Sequence, residues 1–150
     1  MLIREVIIDD AIAIAILLEQ LGYPDTNGFI VPKVRQQLSH PDTLLLVAEK
    51  ELQKERQVLG FIALHFIPQL ALVGDFCRIS YFCVSENARG LGLGTKLIER
   101  AETEAKARGC DRIEVHCHSR RKLAHQFYQQ QGYQESPKYL LKMIEGSNSS

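Results

Sequence analysis

Apolar residues along this chain change their spacing several times, and each change marks an element. Residues 2–8 are rich in Ile and Val, which predicts a strand. Asp9 or Asp10 then stands at an N-cap position, where a carboxylate accepts from the unsatisfied first N–H groups of a helix. That helix is expected to run to Leu21 and to stop at Gly22. Tyr23-Pro24-Asp25 opens a loop, and a second helix is expected over residues 31–38, with Pro32 tolerated in its first turn. His40-Pro41-Asp42 reads as a turn. Residues 43–48 and 58–66 read as the strands of a hairpin, joined by the charged stretch 49–57 as a solvated loop.

After a connection over residues 68–74, the strongly apolar stretch 76–84 predicts a strand in the middle of a sheet. A glycine-rich turn leads into a helix over residues 92–108, where Leu97, Ile98, Ala101 and Ala105 recur at helical spacing. Glu102 with Lys106 and Glu104 with Arg108 form favourable i,i+4 pairs on its wet face, and Gly109 stops it. Residues 113–117 read as a strand, 121–131 as a helix ended by Gly132, and 139–144 as a last strand. The order implies an α/β fold with a mixed central sheet flanked by helices. The strand–helix–strand unit over residues 76–117 should be a right-handed parallel crossover. With no repeat and no interior linker, residues 1–145 are expected to form one domain, and the polar tail 146–150 to be disordered.

Composition narrows the function classes. A chain of 150 residues is near the commonest size for one domain, and buries roughly 70% of its unfolded surface without a disulfide or metal staple. Lys plus Arg equals Asp plus Glu at 18 each, which argues against a broad basic face for nucleic acid but leaves room for a small basic pocket. Cys77, Cys83, Cys110 and Cys117 form no C-x-x-C pair, so they read as small buried hydrophobes in a reducing compartment and not as a zinc site. The N-terminus lacks the pattern of a signal peptide, and the apolar run 11–18 is too short to span a bilayer. These features predict a cytoplasmic protein with no metal and no membrane partner.

The chemistry is concentrated in Val84-Ser85-Glu86-Asn87-Ala88-Arg89-Gly90-Leu91-Gly92-Leu93-Gly94-Thr95-Lys96. Alternate glycines between a buried strand and a helix let the backbone approach a ligand closely. The N–H groups at the helix start, with the helix dipole behind them, favour an anion such as a diphosphate. The spacing does not fit a P-loop, because Thr95 separates Gly94 from Lys96, nor G-x-G-x-x-G, because the third glycine comes one residue early. A glycine-rich turn without a ligand remains the plain alternative.

The sequence fits R-x-x-G-x-G as Arg89, Gly92 and Gly94, which resembles the acetyl-CoA motif of the GNAT superfamily of N-acetyltransferases. Downstream, Arg121-Lys122-Leu123-Ala124-His125-Gln126-Phe127-Tyr128 and Gly132-Tyr133 are similar to the superfamily's A-x-x-F-Y-x-x-x-G-F/Y pattern. The R-x-x-A-H-x-F-Y form resembles a branch of small-amine acetyltransferases that includes aminoglycoside and aminoalkylphosphonate types. The resemblance covers residues 76–133 well and the first half only in its order of elements.

The resemblance implies a sheet that opens between the strands 76–84 and 113–117 to admit the pantetheine arm. Backbone groups of Phe82, Cys83 and Val84 would pair with its amides as an added strand does. Arg89, Gly90, Leu91, Gly92, Leu93, Gly94 and Thr95 would hold the diphosphate. Tyr128 is the expected donor of a proton to the leaving thiolate, although Leu123, Ala124, Phe127 and Tyr128 also suit the packed face of a helix. Tyr23, Phe29 and Tyr81 are candidates to line the acceptor pocket, or merely to pack. Many relatives place Glu on the strand before the glycine turn, but Ile79-Ser80-Tyr81-Phe82 offers no carboxylate. His116 and His118, or a water chain from Ser80 or Tyr81, are open alternatives, so no base is assigned. Arg120, Arg121 and Lys122 suit either the coenzyme's 3′-phosphate or a solvated face.

The leading expectation is acetyl transfer from acetyl-CoA to a primary amine, by direct attack and on a small molecule. Transfer to a protein amine, a non-catalytic acetyl-CoA sensor and a nucleotide-binding module are the alternatives. The last strand, if exposed, is where the resemblance would place a homodimer contact.

Overall fold

The computed structural model describes residues 1–116, 121–136 and 140–144. It divides into two compact units, Met1–His116 and Cys117–Ser150. In the first unit five strands lie side by side in chain order: β1 (Leu2–Glu5), β2 (Thr43–Leu52), β3 (Glu55–Ile67), β4 (Phe76–Val84) and β5 (Arg112–Val115). β1 to β4 run antiparallel, and β5 joins β4 in parallel after the helix α3 (Leu93–Ala107). The mixed sheet and the parallel crossover therefore stand as the sequence implies.

Alternation of side chains across the strands divides the core in two. On one face Leu45, Val47, Phe61, Ala63 and Cys83 pack against Ile14, Leu17 and Leu18 of α1 (Ala11–Leu21) and against Ile30 and Val34 of α2 (Ile30–Leu38). α3 packs against β2, β3 and β4, burying Leu93, Leu97, Ile98, Ala101 and Ala105, the stripe expected from helical spacing. Gly22 ends α1 with φ 114°, where its N–H reaches the Leu18 and Glu19 carbonyls and the Tyr23 N–H reaches Leu18 at 2.8 Å. A residue with a Cβ is disfavoured in that conformation.

Three expectations for the first unit are corrected. The charged stretch 49–57 is strand for most of its length, with pairs from Glu49↔Val58 to Leu52↔Glu55. Only Gln53 and Lys54 turn the chain, both with positive φ (54° and 66°) as a two-residue hairpin turn requires. Main-chain pairing continues past the edge of the core because the ladder does not depend on side-chain polarity. The second correction concerns Asp10. It does not cap α1; its carboxylate accepts from the Ile7 N–H at 2.8 Å and from both terminal nitrogens of Arg4 at 2.8 Å each. Arg4 also donates to Glu49 on β2, at 2.8 and 2.6 Å, so one guanidinium ties β1 to the start of α1 and to the neighbouring strand. The third is the first strand: β1 ends at Glu5, Val6 and Ile7 are irregular, and Ile8 opens a 3-10 turn, Ile8–Asp10.

Gly74 sits where the β3–β4 connection meets the turn after α3. A Cβ there would lie 2.7 Å from the Gly109 carbonyl oxygen, a main-chain atom, and the adjoining Asp111 N–H donates to Asp75 at 2.8 Å. Gly74→Ala is expected to cost about 1–3 kcal/mol, because backbone must shift to relieve the contact. Urea unfolding of the variant checks this, and an unchanged midpoint would refute it.

In the second unit α4 (Lys122–Gln130) ends at Gly132, whose φ is 92°, with the Tyr133 N–H on the Tyr128 carbonyl at 3.0 Å. Of the expected last strand 139–144, Tyr139 lies outside the described residues and residues 140–144 form no strand. Leu140, Leu141, Met143 and Ile144 are exposed there. The tail 146–150 lies outside the described residues.

Candidate functional site

β4 runs out of the core into Ser85, which is buried and anchors the turn: its N–H donates to the Leu59 carbonyl at 2.7 Å and its Oγ accepts from the Asn87 N–H at 3.3 Å. A short 3-10 turn, Glu86–Ala88, plants Ala88 in the core and leaves Arg89, Gly90, Leu91 and Gly92 on the surface. Gly90 and Gly92 both take the left-handed conformation, with φ 82° and 79°. No atom lies within 4 Å of where a Cβ would stand on either, so the glycines serve backbone shape and leave open space above the turn. Gly94 differs, being a helical residue of α3. The first bond of α3 runs from the Lys96 N–H to the Gly92 carbonyl at 3.2 Å, so the N–H groups of Leu93 and Gly94 precede the helical ladder and point out of its N-terminus. Together with the exposed Arg89 earlier in the turn, these groups are the candidates to hold a phosphorylated ligand.

The strand that feeds this turn has an uneven neighbourhood. β4 pairs with β3 along its whole length, from Ile67↔Phe76 to Gly60↔Val84. Its register with β5 covers only Phe76↔Arg112 to Ile79↔Val115. Residues 80–84, which include Phe82, Cys83 and Val84, thus lie beyond the end of β5. The Cys83 side chain faces the α1 side, where its thiol donates to the Leu17 carbonyl at 3.1 Å. Phe82 and Val84 alternate to the opposite face.

A bulge divides β4 at the point where β5 stops. Ala63 pairs with Tyr81 and Leu64 with Ile79, leaving Ser80 without an opposite residue on β3. The Ser80 Oγ lies 2.6 Å from His65 Nδ1, a contact that sequence reasoning missed because the partners are on different strands. Burial first, then interaction with His40 and Arg78, hold the His65 imidazole below its ordinary value, which favours the neutral ring. Arg78 stands opposite His65 in the ladder. Its Nε is buried and meets no acceptor among the described residues, and its Nη2 is 4.0 Å from Glu114. Arg112 takes that carboxylate at 2.8 Å.

Of the acceptor-side candidates, Tyr23 and Tyr81 come together edge-to-face at 5.4 Å between ring centroids, both partly exposed. Burial, then Tyr23, raises the Tyr81 phenol above its ordinary value, so it stays protonated at neutral pH. Phe29 is exposed at the start of α2 and makes no ring contact with that pair among the described residues. Tyr128 is buried within the second unit, its ring edge-on to Phe127 at 5.6 Å and to Tyr133 at 5.7 Å, whereas Leu123 on the same helix is exposed. The packed face expected of α4 therefore excludes Leu123. His116 falls just beyond β5, and His118 and Arg120 lie outside the described residues. Cys77 is buried with its thiol pushed up to about 12 by burial and Cys110, which makes it inert.

Comparison with known proteins identifies the family. Residues 13–133 match the model of the acetyltransferase (GNAT) family. Over 80 residues the chain is 32% identical to the aminoalkylphosphonate N-acetyltransferase of Salmonella typhimurium, a match that spans 53% of this chain and 52% of that protein, about half its length. Among solved structures, a transcriptional regulator from Bacillus halodurans superposes with a TM-score of 0.83 at 24% identity, covering 95% of this chain and 99% of the other. Glucosamine-6-phosphate N-acetyltransferase from Arabidopsis thaliana superposes with a TM-score of 0.79 at 21% identity, covering 96% and 98%. At such identities the structural likeness concerns the fold alone. The family match extends over most of the chain and contains both the glycine turn and α4, and on that ground the chain belongs to the GNAT acetyltransferase family.

Proposed function

We propose that this chain transfers the acetyl group of acetyl-CoA to the primary amine of a small molecule by direct attack of the amine on the thioester. The observation that carries this reading is the turn itself: two left-handed glycines under open space, set at the N-terminus of a helix and directly after β4. In this reading the main chain from Arg89 through Gly90, Leu91, Gly92, Leu93 and Gly94 to Thr95 holds the diphosphate, with Arg89 as its cation. Backbone groups of Phe82, Cys83 and Val84 receive the pantetheine arm beyond the end of β5. In the same reading Tyr128 protonates the leaving thiolate. Tyr23, Tyr81 and, at the edge, Phe29 border the acceptor, and residues 1–145 act as one acetyltransferase domain.

Calorimetric titration with acetyl-CoA tests the reading first. Binding near one site per chain, followed by thiol release with an added small amine, is the expected result. Absence of binding at high coenzyme concentration would end it. Binding without thiol release for any amine would favour the sensor alternative.

Arg78 favours a finer reading of the acceptor. The Arg78 guanidinium, partly exposed and only loosely paired with Glu114 at 4.0 Å, suits an amine that also carries an anionic group, and one relative acts on aminoalkylphosphonates by name. Arg78→Gln is expected to raise KM for aminomethylphosphonate roughly 10- to 100-fold, the worth of a charged hydrogen bond, with little change for ethylamine. Equal losses for both amines would remove Arg78 from acceptor recognition.

A further inference from the structure

We propose that Ser80 and His65 form the proton-accepting pair for the attacking amine, in the place where a carboxylate is missing from β4. The inference rests on the acetyltransfer reading, and three observations lead to it. First, an arm lying along β4 from the glycine turn must stop where β5 begins to pair, at Ile79. From Val84 back to Ser80 is about 13 Å at the rise of an extended strand. The thioester end therefore lies beside Ser80, the bulged residue.

Second, the Ser80 Oγ is 2.6 Å from His65 Nδ1, within the reach of a proton relay. With the other ring nitrogen protonated, Nδ1 offers its lone pair and the serine hydroxyl donates to it. Third, the competing groups nearby are unsuited. β4 itself carries no acid over Phe76–Val84. Glu114, the acid across from Arg78, is engaged by Arg112 at 2.8 Å. The Tyr81 phenol is held protonated. The charged and titratable groups that act on His65 are Arg78 from β4 and His40 from the turn before β2, and both favour the neutral ring.

The step balances within the chain. As the amine lone pair forms the N–C bond to the thioester carbonyl, the nitrogen becomes cationic and strongly acidic. Its proton passes to the Ser80 Oγ while the serine's own proton passes to His65 Nδ1, giving an imidazolium. Collapse of the tetrahedral adduct breaks the C–S bond, the thiolate is protonated by Tyr128, the tyrosinate takes a proton back from solvent, and the imidazolium returns its proton to solvent. Ser80 touches the amine; His65 acts through it.

The test is steady-state thiol release from pH 5 to 10 for wild type, His65→Gln and Ser80→Ala, with acetyl-CoA binding followed in parallel by calorimetry. Wild-type kcat should hold down to a pH below the ordinary histidine value near 6.5 and then fall, because only the neutral ring accepts a proton. His65→Gln keeps a hydrogen-bonding group for Ser80 but cannot take the proton. Its kcat should drop roughly 100-fold or more at pH 7 and climb with pH without that limb, while coenzyme affinity stays within about twofold. Ser80→Ala should lose the same limb. If both variants keep the wild-type kcat and acidic limb, the pair is not the base. If His65→Gln lowers kcat but leaves the limb in place, its role is structural and the proposal falls. A wild type that binds acetyl-CoA yet releases no thiol for any amine overturns the acetyltransfer reading instead, and takes this inference with it.

Discussion

Gly92→Glu is expected to weaken acetyl-CoA binding by more than 100-fold while the protein stays folded. The backbone of Gly92 is left-handed, which costs a residue with a Cβ about 1–2 kcal/mol, but no atom stands within 4 Å to clash with it. The fold can absorb that strain. The carboxylate cannot be absorbed in the same way, because it enters the space proposed for the diphosphate. Two like charges about 5 Å apart at an effective dielectric near 20 repel by roughly 3 kcal/mol, which already exceeds 100-fold in affinity. Calorimetry gives the affinity and circular dichroism the fold. Gly92→Ala separates the two contributions: it carries the backbone strain without the charge and should lose much less affinity. Equal binding by the glutamate variant and wild type would mean that the turn does not hold the coenzyme.

Arg4→Leu is expected to produce the largest loss of stability, roughly 3 kcal/mol, and a fall in Tm of about 6–12 °C for a chain of this size. The change strands the buried Asp10 carboxylate with only the Ile7 N–H, and also frees Glu49. The lower end of the range for a broken buried pair applies, since Arg4 is partly open to solvent. Burial opposes ionisation of Asp10, but Arg4 and the Ile7 N–H more than offset it and hold the carboxyl below its ordinary value. The sign follows. Stability contributed by Asp10 is present above its unfolded value near 3.9 and is lost as pH falls through its lower folded value. Asp10→Asn should therefore flatten the acid limb of the stability curve, measured as urea midpoints from pH 2 to 6. An unchanged limb would show that Asp10 does not govern acid unfolding.

The glycine turn and α3 were legible in the sequence because their causes are local. Positive φ at Gly90 and Gly92 selects glycine whatever the surroundings, and the stripe Leu93, Leu97, Ile98, Ala101 and Ala105 repeats with the helix itself. The order of elements from β2 to α4 was legible for the same reason, as was the parallel return to β5, which topology almost obliges. Where a residue's role depended on a distant partner, local reading failed. Asp10 has the chemistry of an N-cap, yet Arg4 drew it into a salt bridge across β1 and α1. Residues 49–57 look like a solvated loop, yet pairing between Glu49 and Leu52 and their partners on β3 extends the ladder to the tip. Residues 140–144 have strand composition without forming a strand.

The amino-acid sequence thus determines the family, the place and backbone shape of the glycine turn and the absence of acids from β4, because motif spacing and backbone preference act over a few residues. Only the tertiary structure decided that β5 stops at Val115 opposite Ile79, that Ser80 bulges there and that His65 lies 2.6 Å from it. Those facts join positions 15 residues or more apart through strand register, and register is set by how the two sheet faces bury their side chains together.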